Sequence, residues 1–326
     1  MKKSNSKNNI SSILKVLGIT PQIIVIFLLI TLLIGITIGL IVKRQNSVER
    51  KKIVVEKPVS VSSEAEIDST PSDIKEDNNE SLMNIQKDSP FEKYALLSEK
   101  TDKPVIALII DDMGVDMIRT NRILKFNYPF TVSYLTYAPN LQSQINYATK
   151  TGHEILLHIP MQALNDNYDY GGEYLSTNNG KAKNLEILTS QLDKASGYIG
   201  VNNHMGSRFT SDEAQMKTVI EELEKRGLAF IDSKTTSLSK ADNVAYNAKI
   251  PYATRDIFLD DSNRFEDIRK SLAQLENIAK KRGFAVAIGH PRPNTIKMLK
   301  EWFPSLRAKG IELVPISYII KNYPKF

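Results

Sequence analysis

The 326 residues contain no cysteine. That absence removes thiol nucleophiles, thiolate zinc sites, iron–sulfur clusters and disulfides together. Histidine is also scarce, with four, so any metal must be held by a small set of imidazoles and carboxylates. Glycine (15) and proline (14) are too few for a collagen-like or low-complexity chain. No internal repeat of fixed period is visible. The formal charge of +6 invites a nucleic-acid reading until it is divided along the chain: residues 1–52 carry +8, residues 53–100 carry −6 and residues 101–326 carry +4. The basic excess therefore flanks one apolar run and not a folded face, and no nucleic-acid partner is expected.

That run is residues 23–42, twenty residues without a charge. A helix rising about 1.5 Å per residue needs about 20 of them to cross the hydrocarbon layer. The run is apolar all round, unlike a surface helix, and Lys43-Arg44-Gln45 follows it in place of a small-x-small cleavage site. We read an uncleaved transmembrane anchor after a cytoplasmic segment at 1–22. Basic residues on both sides (Lys2, Lys3, Lys7, Lys15; Lys43, Arg44, Arg50, Lys51, Lys52) leave the orientation undecided by charge. Gly35 and Gly39 are spaced to let two such helices pack, a weak homodimer contact. Residues 43–100 read as a disordered linker, because a stretch such as VSVSSEAEIDSTPSDIKEDNNES cannot bury enough apolar area to offset its ordering entropy.

From residue 101 the texture becomes that of an α/β domain. Short apolar runs at 105–110, 130–135, 155–159, 198–201, 228–231, 284–288 and 311–314 predict strands. Amphipathic stretches at 116–125, 141–151, 185–196, 212–226, 265–282 and 295–307 predict helices. Ser211 is a candidate N-cap, and Gly227 and Gly283 follow basic residues as helix stops. About seven parallel strands alternating with helices fit a (β/α) barrel. A doubly wound open sheet is the alternative, although no G-x-G-x-x-G follows the first strand.

Chemistry-bearing residues crowd the predicted strand ends. Asp111 and Asp112 follow the first strand, His158 lies near the end of the third, His204 follows the fourth by two asparagines, Asp232 follows the fifth and His290 follows FAVAIG. In parallel α/β folds the C-terminal strand ends are where sites are built. His153 is the exception. It precedes its strand, and an odd separation from His158 sends the two rings to opposite faces, so it reads as structural. Ser207 lacks the G-x-S-x-G context of a nucleophile.

Six segments, ALIIDDMG (107–114), GHEILLHIPMQ (152–162), GVNNHMGSRFT (200–210), FIDSKTT (230–236), RDIFLDD (255–261) and AIGHPRPNT (287–295), resemble the divergent polysaccharide deacetylase family. The resemblance covers residues 103–324. It implies a deformed (β/α) barrel, a divalent metal of the zinc type, and removal of N- or O-acetyl groups from a cell-envelope or extracellular polysaccharide or oligosaccharide. It also admits a catalytically inactive glycan-binding or envelope-assembly module of the same fold.

The resemblance further implies roles. Asp111 matches the base and Asp112 a metal ligand. His158 matches the first His of a His-x-x-x-His motif, but Gln162 stands at the second position, and an amide oxygen is a poor zinc ligand beside imidazole. His204 is the expected replacement, giving a metal set of Asp112, His158 and His204. His290 matches the general acid, with Asp232 expected to orient it and Arg208 expected to pair with Asp256 around the substrate loop.

Overall fold

The structure, a computed structural model, describes residues 88–323 apart from Asp166. The predicted anchor at 23–42, its homodimer contact and the linker up to residue 87 lie outside the described residues. Among the described residues, no helix is long and apolar enough to cross a membrane.

The chain runs α1 (Pro90–Tyr94), β1 (Val105–Met113), α2 (Met117–Ile123), β2 (Thr131–Leu135), α3 (Leu141–Lys150), β3 (Glu154–Met161), α4 (Lys181–Leu192), β4 (Gly200–Met205) and α5 (Glu213–Arg226). It continues through β5 (Ala229–Asp232), α6 (Ala241–Asn247), β6 (Tyr252–Thr254), β7 (Ile257–Phe258), α7 (Phe265–Arg282), β8 (Phe284–Gly289), α8 (Pro293–Ala308), β9 (Glu312–Val314) and α9 (Ile316–Asn322). The strands join one curled parallel sheet in the order β6-β5-β4-β3-β2-β1-β8-β7, with β9 on the first half of the β1 edge that β2 occupies further along.

The two ends of this path are two residues apart in sequence. Arg255 N–H donates to Asp232 O on one side, and Asp256 N–H donates to Val286 O on the other. The sheet is thus a deformed barrel, not a doubly wound open sheet. Nine strands replace the expected seven because β6 and β7 are too short to leave an apolar run in the sequence. Ser211 lies in a single 3-10 turn, and Asp212 is the N-cap of α5, its side chain accepting from Gln215 N–H at 3.1 Å. Gly227 (φ 64°) and Gly283 (φ 89°) end α5 and α7 in the left-handed conformation as expected.

Alternation along β1 explains why its run is wholly apolar. Ile106, Leu108 and Ile110 face the helices, while Val105, Ala107 and Ile109 join Leu156, Ile199, Ile231 and Ile288 in the second, inner cluster. Parallel strands buried on both faces need such runs.

The inner cluster also takes Phe91 from α1 and Ile316, Tyr318 and Ile319 from α9, so these two short helices close the N-terminal end of the barrel. Residues 88–100 fall within the predicted linker, but here Ser89 caps α1 and Phe91 is 4% exposed. Burying one phenylalanine contributes about 1.5–3 kcal/mol toward ordering this five-residue helix between polar flanks.

Glu154 ties the same end together. Its carboxylate accepts from Leu96 N–H, Thr131 Oγ1 and Ser317 N–H at 3.1–3.2 Å. His153, as expected, is structural: it is buried against Phe130, ring centroids 4.4 Å apart, at the end of the barrel opposite the strand C-termini.

Candidate metal and acid–base site

Asp111 and Asp112 are adjacent, and regular pleating would send them to opposite faces. Asp112 has φ 55°, and the register of β1 on β2 shifts between Ile110 and Met113. This irregularity turns the Asp112 carboxylate to the barrel mouth alongside Asp111. A left-handed non-glycine residue is costly and is tolerated where the surroundings fix it. Gly114 follows with φ 103°, and a Cβ there would lie 2.6 Å from Ala138 Cβ, so only glycine lets the β1–α2 turn pass so close to β2–α3.

His158 and Asn202 are register partners on β3 and β4, and Pro160 pairs with His204. His158 Nε2 lies 3.5 Å from Asp112 Oδ1, and His204 Nδ1 lies 3.2 Å from the same oxygen. The candidate ligand atoms of Asp112, His158 and His204 all lie within 4.8 Å of one another. A tetrahedral zinc ion with bonds of about 2.0–2.1 Å spaces its ligands about 3.3 Å apart. Asp112 Oδ1 is buried and has no hydrogen-bond partner among the described residues. Two imidazole nitrogens around one orphaned carboxylate oxygen fit a zinc-type ion in spacing and in donor chemistry.

The position of Gln162 has a different use. Its Oε1 accepts from Ser176 Oγ, Thr177 N–H and Thr177 Oγ1 at 2.8–3.1 Å, and its backbone carbonyl accepts from the amides of Arg208 and Phe209. Gln162 thus ties the loops after β3 and β4 together, and His204 on the neighbouring strand stands beside Asp112 instead.

Electrostatics differentiate the two carboxylates. Burial penalises the Asp112 anion, but the close approach and charge of the His158 and His204 rings outweigh this and hold its pKa far below the ordinary value. For Asp111 burial dominates over His158, His290 and Asn202, and the pKa is raised. One carboxylate stays ionised to hold a cation, and the other is a stronger base.

His290 lies one residue past β8. Its Nδ1 is 2.8 Å from Asp260 Oδ1, and its Nε2 is 3.9 Å from Asp112 Oδ2. Burial opposes its charge, but the hydrogen bond and charge of Asp260, with Asp112 and Asp111, raise its pKa.

Asp260 accordingly replaces Asp232 as the partner of His290. It lies two residues past β7, which neighbours β8, whereas β4, β3, β2 and β1 separate β5 from β8 along the sheet path. Asp232 instead accepts from Lys234 N–H at 2.7 Å. The expected Arg208–Asp256 pair is also absent. Arg208 Nη2 donates to Leu164 O at 3.0 Å, while Asp256 precedes β7 and pairs with Arg282, the last residue of α7.

Three residues without a role in the sequence reading complete the site. Asn202 accepts from His158 Nδ1–H at 2.7 Å and from Ser133 Oγ at 2.6 Å, and donates to Asp111 at 2.8 Å. Donors at its oxygen and a carboxylate at its nitrogen fix the amide orientation. Asp260 also accepts from Thr295 Oγ1 at 2.6 Å and from the backbone amide of His290 at 2.8 Å. Arg255 holds the carbonyls of Ser233 and Lys234 and stacks on Phe258, whose ring faces that of His290. All three lie in the six segments quoted above, but their roles depend on strand order, which the segments do not carry.

Comparison with known proteins identifies the family. Residues 108–320 match the family model described as divergent polysaccharide deacetylase. The chain is 32% identical over 218 residues to an uncharacterized protein of Haemophilus influenzae, covering 67% of this chain and 77% of the relative. It is 31% identical over 217 residues to the uncharacterized protein YibQ of Escherichia coli, covering 67% of each. The crystal structure of an uncharacterized protein from Agrobacterium tumefaciens C58 superposes with a TM-score of 0.68 at 25% identity, covering 71% of this chain and 95% of that one. With the six motifs in order and the match spanning the barrel, the chain belongs to the divergent polysaccharide deacetylase family.

Proposed function

We propose that the domain is a metal-dependent hydrolase that removes acetyl groups from an N- or O-acetylated cell-envelope or extracellular polysaccharide. The observation that carries this reading is the convergence of Asp112, His158 and His204 within 4.8 Å, flanked by a buried base and an Asp-paired histidine. In the bound state Asp112, His158 and His204 hold the ion. A zinc-type ion supplies Lewis acidity at the acetyl carbonyl and lowers the pKa of water to about 7.

The chain's own residues handle the protons. Asp111 takes one from the attacking water, aided by its raised pKa. His290, charged against Asp260, delivers one to the sugar nitrogen as the C–N bond breaks, so that acetate and a free amine leave. Asn202 keeps the Nδ1 proton of His158 engaged and leaves Nε2 toward Asp112.

Acetate release from N-acetylglucosamine oligomers or isolated cell-wall glycan, measured with zinc supplied, tests this. Wild type should turn over, and Asp111→Asn and His290→Ala should each slow it by roughly 10²–10⁴ at unchanged metal content. A wild type that binds zinc but releases no acetate from either substrate would instead favour the glycan-binding module.

The same proposal extends to location. Residues 23–42 anchor the chain and the barrel lies outside the cytoplasm, near its glycan. Protease added to intact cells should release a fragment beginning within residues 45–87, and complete protection would refute that topology.

A further inference from the structure

Tyr137 lies two residues past the end of β2, the strand between β1 and β3, and so between the strand ends that carry Asp112 and His158. Its neighbours in the chain turn to the helix layer. Tyr134 packs in the helix-facing cluster, and Thr136 Oγ1 donates to Gln191 of α4 at 3.4 Å. Tyr137 itself belongs to neither apolar cluster of the described residues. Burial, then the charges of Asp112 and of Asp169 on the loop after β3, raise its pKa, so the phenol is a neutral donor within reach of the Asp112 field.

The loop between β3 and α4 holds this ring in place. Gly171, with φ 73°, lies against it, and a Cβ there would fall 2.3 Å from Tyr137 Cζ. Any larger residue at 171 would therefore displace the phenol. The loop is braced by its own contacts: Asp169 Oδ1 accepts from Gly171 N–H at 2.9 Å, Tyr170 Oη accepts from Ala163 N–H at 2.9 Å, and Tyr170 stacks on Tyr174 with centroids 3.9 Å apart. Tyr137 is half-buried, yet its hydroxyl stays open to solvent and makes no hydrogen bond among the described residues. A braced ring with an unused, reachable O–H is a donor whose partner comes from outside the chain.

We propose that Tyr137 is a further catalytic residue, whose phenol O–H donates to the acyl oxygen of the substrate as that oxygen gains negative charge. The role rests on the hydrolase reading above. Strand order supplies the side of approach. β8, followed by His290, and β2, followed by Tyr137, flank β1 on opposite sides. The sugar nitrogen takes its proton from His290, so the sugar lies toward β8 and the acetyl group toward β2. The phenol keeps its own proton throughout. Its hydrogen bond strengthens as charge develops on the acyl oxygen, and stabilisation of that kind accelerates the reaction without tightening substrate binding.

The test is Tyr137→Phe in the full chain with zinc supplied. The hydroxyl has no partner in the chain, so a purely structural tyrosine would lose nothing by this change. On N-acetylglucosamine oligomers kcat should fall about 10²–10³-fold, the usual cost of one donor to a developing oxyanion, with KM, zinc content and thermal melting unchanged. An unchanged kcat, a raised KM at preserved kcat, or a loss that comes with lower melting or lost zinc overturns the proposal. A second measurement does not need turnover. Acetohydroxamate, titrated calorimetrically into the zinc-loaded chain, offers an acyl oxygen with anionic character, and Tyr137→Phe should weaken its binding at least about tenfold. Equal binding by wild type and variant, or none by wild type, overturns the role of Tyr137. A wild type that releases no acetate but binds acetohydroxamate through Tyr137 removes only the hydrolase reading, whereas turnover that Tyr137→Phe leaves intact removes only Tyr137.

Discussion

Asn202 Oδ1 lies 2.7 Å from His158 Nδ1, and this contact decides which nitrogen of His158 faces Asp112. An amide oxygen only accepts, so Nδ1 carries the proton and Nε2 keeps its lone pair. Asn202→Ala removes that instruction and leaves Asp111 without its amide donor. Zinc affinity, measured by chelator competition, should fall about 10–100-fold, the usual cost of losing such an outer partner. Unchanged affinity would mean that the tautomer is set elsewhere.

Asp260 makes a sharper claim, because the sequence alone pointed to Asp232. Asp260→Asn removes the charge and hydrogen bond that raise the His290 pKa. A general acid must be protonated, so activity is lost as pH rises through its pKa. Lowering that pKa moves the loss to lower pH. The pH–kcat profile of Asp260→Asn should therefore shift its alkaline limb downward and lose about 10²-fold at neutral pH. Asp232→Asn should leave that limb in place.

These two asparagine and aspartate roles mark the limit of what was legible in the sequence. Runs such as VIALII announced their strands because burial on both faces leaves only apolar residues there. Asp111, Asp112, His158, His204 and His290 were recognisable as strand-end residues, and the barrel puts all five at one mouth. Strand order around the barrel was not legible and Asp260 follows a two-residue strand, so Asp232 alone stood out as a partner for His290. β6 and β7, three and two residues long, carry too little apolar signal to be seen. FEKYALL (91–97) was visible only as a short apolar segment that could dock on the domain, since the reason for its order lies in contacts of Phe91 with α9 far along the chain.

Phe91 gives a stability prediction. Phe91→Ala should destabilise the domain by about 3 kcal/mol, as for a buried phenylalanine. A chain beginning at residue 101 should lose at least as much. Denaturant midpoints measure both. A change below about 0.5 kcal/mol would show that α1 does not close the barrel.

Glu154 predicts a pH dependence independent of the metal site. Burial raises its pKa above the ordinary 4.5 despite hydrogen bonds from Ser317, Leu96 and Thr131. Between those two values the native state holds a proton that the unfolded chain has released. Its contribution is therefore full below the unfolded pKa and is lost as pH rises through the folded one. Glu154→Gln cannot titrate, so the stability difference between wild type and variant should change in wild type's disfavour from pH 4 to 7. A difference that is flat across that range, by denaturant unfolding, would contradict the assignment.

The central claim is that Asp112, His158 and His204 hold one ion that the deacetylation requires. Acetate release from N-acetylglucosamine oligomers, followed while zinc is titrated into the chelator-stripped chain, tests it most directly. The account predicts no release without metal, a rise that saturates at one zinc per chain, and no zinc-dependent rise in His204→Ala. Release that proceeds undiminished in the stripped protein, or that His204→Ala recovers at the same single equivalent, would contradict it.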